Sequence, residues 1–221
     1  NVLLVGCGNI AVNFEDDPLR VKPASHLGCL NHFKDKVKLN VSIVDYRPAA
    51  LKRALKLMPD AKSYLSFDEF LATKQPLNLA VIATPDDTHK TIAEDILERQ
   101  KNLDLLFIEK PLATSITDAE QIIDLAKKKH VDVAVNHTRR WEQSWIDVKH
   151  MVDRGDIGKL LYMTGIYGGD PWRVGIHMAD LANWYNAPHG AIMTYGKFPY
   201  LLFEVDLLGE KGRIRVTDNG R

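Results

Sequence analysis

The sequence predicts an α/β protein with a doubly wound parallel sheet, followed by a smaller α+β domain. Strand-like apolar runs alternate with amphipathic helical segments through the first two-thirds of the 221 residues, and this alternation is typical of a parallel sheet. The runs are almost continuously apolar, which indicates strands covered by helices on both faces. After about residue 138 the alternation ends, so we expect one domain at residues 1–138 and a second at residues 139–221.

The strands of the first domain are marked by apolar runs that end in turn residues. Five runs fit this description: residues 2–6, 39–45, 77–85, 103–111 and 131–137. Three helices are predicted between them, at residues 48–58, 84–100 and 115–130. The first opens with a proline, and the third has a Thr117/Glu120 capping box and a lysine-rich end that suits the helix dipole. Because ligands bind beyond the carboxyl ends of such strands, the functional site should lie at that edge.

The second domain mixes helices with strands that are not separated by regular crossovers. An amphipathic segment covers residues 144–158, a strand covers 159–169, and a helix covers 175–185. Residues 200–218 read as a β-hairpin that turns at Gly209–Gly212. This arrangement is of the α+β kind.

Composition excludes several classes of function. Lys plus Arg and Asp plus Glu are equal at 29 each, so charge gives no reason to expect nucleic acid or an anionic membrane as a partner. No apolar run approaches the roughly 18 residues of a membrane span, and no secretory leader is visible. Cys7 and Cys29 have no zinc-site spacing. We expect both to be buried free thiols and the protein to be cytoplasmic, without a metal.

A phosphate-binding turn follows the first strand. The segment Gly6-Cys-Gly8-Asn-Ile-Ala11 matches G-x-G-x-x-[G/A]. Gly6 would permit the tight turn, Gly8 would let the backbone approach a pyrophosphate, and Ala11 would allow close helix packing. The cofactor-binding residues predicted here are Gly6, Gly8, Asn9, Ile10 and Ala11.

Asp45, at the end of the second strand, is the expected ribose-binding acid. It favours NAD, whereas Arg47 just beyond it suits the 2′-phosphate of NADP, so both cofactors stay open and NAD is favoured. Gly8 and Asp45 are nearly twice as far apart as the usual 20 or so residues. A charged insert at residues 13–25 accounts for the excess, and we expect it to be a loop near the pyrophosphate.

These motifs, with several others in the same order, resemble the glucose–fructose oxidoreductase / inositol dehydrogenase (Gfo/Idh/MocA) family. The matching segments are VGCGNIA (5–11), His26, IATPDDTH (82–89), IEKPLATS (108–115), NHTRRW (136–141), GDIGKL (155–160) and GIHMADLANW (175–184). The resemblance implies an N-terminal Rossmann domain and a C-terminal domain with an open, mostly antiparallel sheet. It also implies NAD(P)-dependent oxidation or reduction of a sugar, cyclitol or nucleotide-sugar hydroxyl, and a homodimer or homotetramer.

The resemblance further implies that Lys110 lies beside the nicotinamide and that His177 is its catalytic partner. A lysine whose pKa is lowered can take the hydroxyl proton as hydride leaves, and a histidine can exchange that proton near neutral pH. Further cofactor contacts are expected from Thr84, Pro85, His89 and Glu109, and substrate contacts from Arg140, Arg173 and Asp180. For His89, a structural role at the helix N-terminus is an equal alternative.

Two departures from the family pattern keep other functions open. Arg173 stands four residues before His177, where many members have an aspartate. A non-catalytic NAD(P)-binding regulator of the same fold therefore remains an alternative, as does a reductase of a non-sugar ring. The second domain is also about half the usual length and lacks strands before the hairpin, so we expect segments of it to be missing from this chain.

Overall fold

The computed structural model describes residues 1–194, 196 and 198–220, and the chain divides into two compact units. The first unit is residues 1–136 and the second is residues 137–221. In the described part of the chain, no helix combines the length and the apolar character needed to cross a membrane.

Six parallel strands form the sheet of the first unit, in the order β3-β2-β1-β4-β5-β6. The strands are β1 (Val2–Val5), β2 (Val41–Val44), β3 (Lys62–Tyr64), β4 (Leu79–Ile82), β5 (Leu105–Glu109) and β6 (Asp132–Asn136). The helices are α1 (His26–Val37), α2 (Pro48–Leu57), α3 (Phe67–Ala72), α4 (His89–Arg99) and α5 (Ile116–Lys129). The strand order reverses between β1 and β4, which confirms the predicted doubly wound sheet.

The apolar strand runs are explained by burial on both faces of this sheet. Leu3 and Leu4 are neighbours on β1 and point to opposite faces, yet both are fully buried, each in a different apolar cluster. The edge strand β3 was missed because its sequence, Lys-Ser-Tyr, carries no apolar signal. The α5 cap was placed two residues late: Ser115, rather than Thr117, accepts a hydrogen bond from the Asp118 N–H.

The insert interrupts the helix that follows the phosphate turn. In a continuous helix, the carbonyl of Ile10 accepts from residue 14 and that of Ala11 from residue 15. Here the N–H of His26 donates to Ile10 O at 3.0 Å and that of Leu27 donates to Ala11 O at 2.9 Å. His26 thus takes the place of residue 14, and the twelve residues 13–24 (26 minus 14) are looped out. The predicted loop therefore starts and ends at the phosphate turn.

Side chains of the insert hold this loop together. After a 3₁₀ turn at Asn13–Asp16, Lys22 Nζ donates to Phe14 O at 2.8 Å and to Asp17 O at 2.7 Å. Glu15 Oε2 accepts from the Ala24 N–H and the Ser25 hydroxyl, at 2.9 and 2.8 Å. The loop is therefore anchored at both ends.

A mixed sheet in the order β10-β9-β7-β8 forms the second unit. Its strands are β7 (Leu160–Tyr167), β8 (Gly190–Thr194), β9 (Phe203–Gly209) and β10 (Arg213–Val216), and its helices are α6 (Gln143–Asp153) and α7 (Ile176–Trp184). The β7–β9 and β9–β10 pairs are antiparallel, as predicted, whereas β8, which was not predicted, runs parallel to β7. The Gly209 N–H donates to Gly212 O at 2.9 Å and closes the predicted hairpin.

The two cysteines differ from each other. Cys7 is buried, as predicted, and its burial, together with the charge of Asp45, raises the pKa of its thiol to about 12. Cys29 is exposed, so its predicted burial is wrong. It lies on the solvent side of α1, where Leu27 and Gly28 take the buried positions.

Candidate functional site

The two glycines of the phosphate turn occupy opposite environments. Gly6 has φ +94°, and a Cβ on it would lie 2.8 Å from Ala83 O and 2.9 Å from Thr84 Cγ2. Only glycine fits there, because both the conformation and the space exclude a side chain. Gly8 has no such neighbour: a Cβ on it would meet nothing within 4 Å. The backbone at Gly8 is therefore accessible to a ligand.

Asp45 ties the end of β2 to this turn. Its Oδ2 accepts from the Cys7 N–H at 2.8 Å and from Arg47 Nη2 at 2.8 Å, while Oδ1 accepts from the N–H and the Nε of Arg47, both at 2.9 Å. Burial opposes ionisation, but these hydrogen bonds outweigh it and hold the pKa of Asp45 below its ordinary value. Four donors saturate a carboxylate, so ribose hydroxyls would have to replace the Arg47 guanidinium.

Glu109 is the last residue of β5, next to Lys110, and it is held by two partners. Asn136 is its cross-strand neighbour on β6 and donates to Oε1 at 2.6 Å. His26 Nε2 lies 2.7 Å from the same oxygen, and the ring donates because a carboxylate only accepts. Burial would raise the pKa of Glu109, but these two hydrogen bonds hold it below its ordinary value. Glu109 is thus an ionised, buried group beside the partly buried Lys110.

His89 begins α4 and turns its ring into the unit. Its Nδ1 lies 2.7 Å from Pro111 O, and its Nε2 lies 3.0 Å from Thr84 O. The ring is 1% exposed. The two nitrogens therefore contact backbone carbonyls in two segments, Ala83-Thr84-Pro85 after β4 and Glu109-Lys110-Pro111 at the end of β5. Pro85 caps the short 3₁₀ turn that separates Thr84 from α4.

His177 belongs to a cluster of charged and titratable side chains within the second unit. It is the second residue of α7 and is buried. The ring of His137 lies edge-on to it, with centroids 5.9 Å apart. Asp180, one turn along α7, lies 3.8 Å from His137 Nδ1 and accepts two hydrogen bonds from Arg140 Nε and one from its Nη2, at 2.8–3.1 Å. The predicted substrate residues Arg140 and Asp180 thus form a bidentate ion pair.

The arginines near this cluster have different environments. Arg173 lies in a π-helical turn, Pro171–Gly175, where its N–H donates to the Asp170 side chain at 3.0 Å. Arg139 is buried, with its guanidinium 3.6 Å above the Phe203 ring. Burial lowers the pKa of Arg139 to about 10. Arg139 therefore packs in the core of the second unit, whereas Arg173 lies on the turn that leads into the His177 helix.

Sequence reasoning missed the His26–Glu109–Asn136 network and the contact between His137 and Asp180. The alignment of strand ends could have identified Asn136 as a partner of Glu109, because β5 and β6 are parallel neighbours. His26 follows a looped-out insert, so its spacing from the phosphate turn carries no direct signal. Asp180 lies three residues after His177, which is the helical spacing for a shared face.

The chain matches a known family and several relatives. Residues 1–137 match the model of the Gfo/Idh/MocA family, described as an oxidoreductase family with an NAD-binding Rossmann fold. An uncharacterized oxidoreductase of Schizosaccharomyces pombe, C115.03, is 24% identical over 186 residues, which are 83% of this chain and 48% of that protein. The scyllo-inositol 2-dehydrogenase (NAD(+)) of Bacillus subtilis is 30% identical over 101 residues, which are 45% of this chain and 29% of that protein.

The fold is also that of a solved enzyme structure. The WlbA dehydrogenase of Bordetella pertussis, in complex with NADH and UDP-GlcNAcA, superposes with a TM-score of 0.79 at 21% identity, covering 100% of this chain and 80% of that one. By contrast, the chain spans about half or less of the length of the curated relatives it matches.

Proposed function

Because the chain belongs to the Gfo/Idh/MocA family of oxidoreductases with an NAD-binding Rossmann fold, we propose that it is an NAD-dependent dehydrogenase of a polyhydroxylated substrate. The reaction transfers hydride between the nicotinamide and a CH–OH carbon of a sugar, cyclitol or nucleotide sugar. One observation carries this proposal: the phosphate turn, Asp45 and Lys110 follow the carboxyl ends of strands in one parallel sheet. That edge is where such sheets bind dinucleotides.

The phosphate turn and Asp45 are the proposed cofactor contacts. The open backbone at Gly8 receives the pyrophosphate, and Asp45 receives the ribose hydroxyls when the Arg47 side chain moves aside. The Arg47 side chain is 49% exposed, so it can move away from Asp45 without disrupting buried packing. Asp45 favours NAD, whereas a released Arg47 offers a cation to the 2′-phosphate of NADP.

Lys110 is the proposed acid–base residue. When the alcohol is oxidised, the neutral Lys110 amine takes the hydroxyl proton while the C–H bond breaks and its electron pair leaves with the hydrogen. The nicotinamide, when bound, accepts that hydride. In the reverse direction, the Lys110 ammonium donates a proton to the carbonyl oxygen. His177 is the catalytic histidine that the family resemblance implies, and within the second unit His137 and Asp180 adjoin it.

A substitution of Lys110 tests the proposal against a matched control. The parent is mixed with NAD or NADP and a panel that includes scyllo-inositol and UDP-GlcNAcA, which are named for its relatives, and reduced cofactor is followed at 340 nm. Lys110→Met should lower kcat by a factor on the order of 10² to 10⁴ and leave the Kd for NAD within threefold. Lys101→Met, on an exposed lysine before β5, is the control and should match the parent. Equal kcat in Lys110→Met and Lys101→Met would show that Lys110 is not the acid–base residue.

A second candidate function is a non-catalytic NAD(P)-binding regulator of the same fold. It is favoured by Arg173, which stands where many family members have an aspartate. A further alternative is a reductase of a non-sugar ring. If calorimetry shows NAD binding but neither the panel nor a non-sugar ring ketone is turned over, the regulator is favoured over the dehydrogenase and over this reductase.

We also propose that the second unit assembles with another copy of the chain. The sheet face opposite the core carries the exposed side chains of Tyr162, Met193 and Leu208. Light scattering that gives the mass of one chain would contradict this assembly.

A further inference from the structure

We propose that His89 is a positioning residue, which ties the Lys110–Pro111 segment to the end of β4. The inference rests on the proposed role of Lys110 and adds a residue that acts through it. His89 belongs to neither strand. It starts α4, and its ring reaches back into the space beyond the carboxyl ends of β4 and β5.

The His89 ring lies beyond the last residues that pair β4 with β5. The last paired residues of β4 and β5 are Ile82 and Ile108. Beyond this pair the two segments no longer bond to each other as strands. The carbonyl of Thr84, two residues further on, lies 3.0 Å from Nε2, and the carbonyl of Pro111, three residues further on, lies 2.7 Å from Nδ1. One imidazole therefore lies between the two strand ends, with a ring nitrogen at hydrogen-bonding distance from each carbonyl.

Burial gives this bridge its mechanical effect. His89 is 1% exposed, so water cannot readily replace the ring as the hydrogen-bond donor. Leaving a buried carbonyl without a donor is unfavourable, because nothing compensates for its loss of solvation. A segment that moved away from the ring would incur that cost, so the Pro111 carbonyl and the adjoining Lys110 are restrained.

Both ring nitrogens of His89 are engaged within the first unit. We expected a direct cofactor contact from this residue, but each ring nitrogen already faces a backbone oxygen of the same unit. A neutral ring has one N–H and donates to one carbonyl, whereas a doubly protonated ring donates to both. Neither form has a nitrogen left for a ligand. The role that remains is to hold Lys110 in place, and small displacements of a reacting group are costly in rate.

Two amide substitutions test the two halves of the bridge separately. The side-chain nitrogen of asparagine falls near the position of Nδ1, so His89→Asn keeps a donor towards Pro111. The side-chain nitrogen of glutamine falls near Nε2, so His89→Gln keeps a donor towards Thr84 only. His89→Phe keeps a ring and removes both donors. The three variants are compared by kcat, by the Kd for NAD, and by hydrogen–deuterium exchange of residues 107–115.

The bridge predicts an order among the variants. His89→Gln and His89→Phe should lose kcat by roughly 10- to 100-fold, with the Kd for NAD within about threefold of the parent. His89→Asn should retain several-fold more kcat than His89→Gln, and its exchange in residues 107–115 should stay slower. Equal kcat and equal exchange in the Asn and Gln variants would overturn the assignment. If the parent turns over no substrate, the proposed function fails, and the exchange comparison still decides whether His89 holds this segment.

Discussion

A matched pair of glycine substitutions separates folding from cofactor binding at the phosphate turn. Alanine at Gly6 must place its Cβ 2.8 Å from Ala83 O and must adopt φ +94°. Alanine at Gly8 meets nothing within 4 Å, and Gly8 lacks a positive φ. The two changes add the same methyl group two residues apart, so their effects should differ only through these environments.

The expected magnitudes follow from those environments. A side chain in the left-handed region costs roughly 1–2 kcal/mol, and overpacking against backbone costs roughly 1–3 kcal/mol. Gly6→Ala should therefore lower the free energy of unfolding by about 2–5 kcal/mol. This corresponds to a fall in Tm of roughly 4–20 °C for a chain of this size. Gly8→Ala should leave Tm unchanged or slightly raised, because alanine reduces the entropy of the unfolded chain.

Thermal unfolding without ligand and calorimetric titration with NAD provide the two readouts. In Gly8→Ala the methyl group fills the space through which the pyrophosphate approaches, so the Kd for NAD should rise at least tenfold, or about 1.4 kcal/mol. The reasoning is refuted if Gly8→Ala unfolds as early as Gly6→Ala. It is also refuted if Gly8→Ala keeps the parental affinity for NAD.

Three further predictions concern the groups around this turn. Arg47→Ala should weaken NADP binding by roughly 10- to 100-fold, while NAD binding holds or tightens because Asp45 is released; calorimetry measures both, and an equal loss for the two cofactors would contradict it. Glu109→Gln should lower the free energy of unfolding by about 1.5–3 kcal/mol at pH 7. Since the folded-state pKa of Glu109 is depressed from its ordinary value of 4.5, its contribution is present above about pH 4.5 and is lost as pH falls through the folded pKa. The difference in the free energy of unfolding between Glu109→Gln and the parent should therefore shrink as the pH is lowered. A difference that stays constant from pH 7 to pH 3 would argue against the hydrogen-bond network of Glu109. Deletion of residues 13–24 should rejoin the interrupted helix and change the free energy of unfolding by less than about 2 kcal/mol; a circular dichroism spectrum of an unfolded chain would show that the insert is essential.

Much of the first unit was predictable because its signals are local. The apolar run of β1 and the glycines that follow it specify a buried strand and a tight turn, and Asp45 ends the next long run. These features depend on backbone conformation and on burial, which a short stretch of sequence expresses directly. Strand β3 has only polar and aromatic residues at the sheet edge, so it became a strand through pairing with β2 alone.

The partners of the site side chains were less predictable, because each pair joins residues that are distant in the chain. His26 and Glu109 are 83 positions apart, and Arg140 and Asp180 are 40 apart. The sequence indicated that Arg140 and Asp180 were polar residues available to a substrate. In the fold, each neutralises the other, since α7 brings the carboxylate to the guanidinium.

The sequence alone thus determined the doubly wound sheet, the phosphate turn and the edge at which Lys110 lies, because alternating apolar runs and glycine positions act through nearest neighbours. Only the tertiary structure decided which side chains hold that edge in place. His89 is the clearest case: its position at the start of a helix was visible in the sequence, but its contact with Thr84 O and Pro111 O exists only because two parallel strands end side by side.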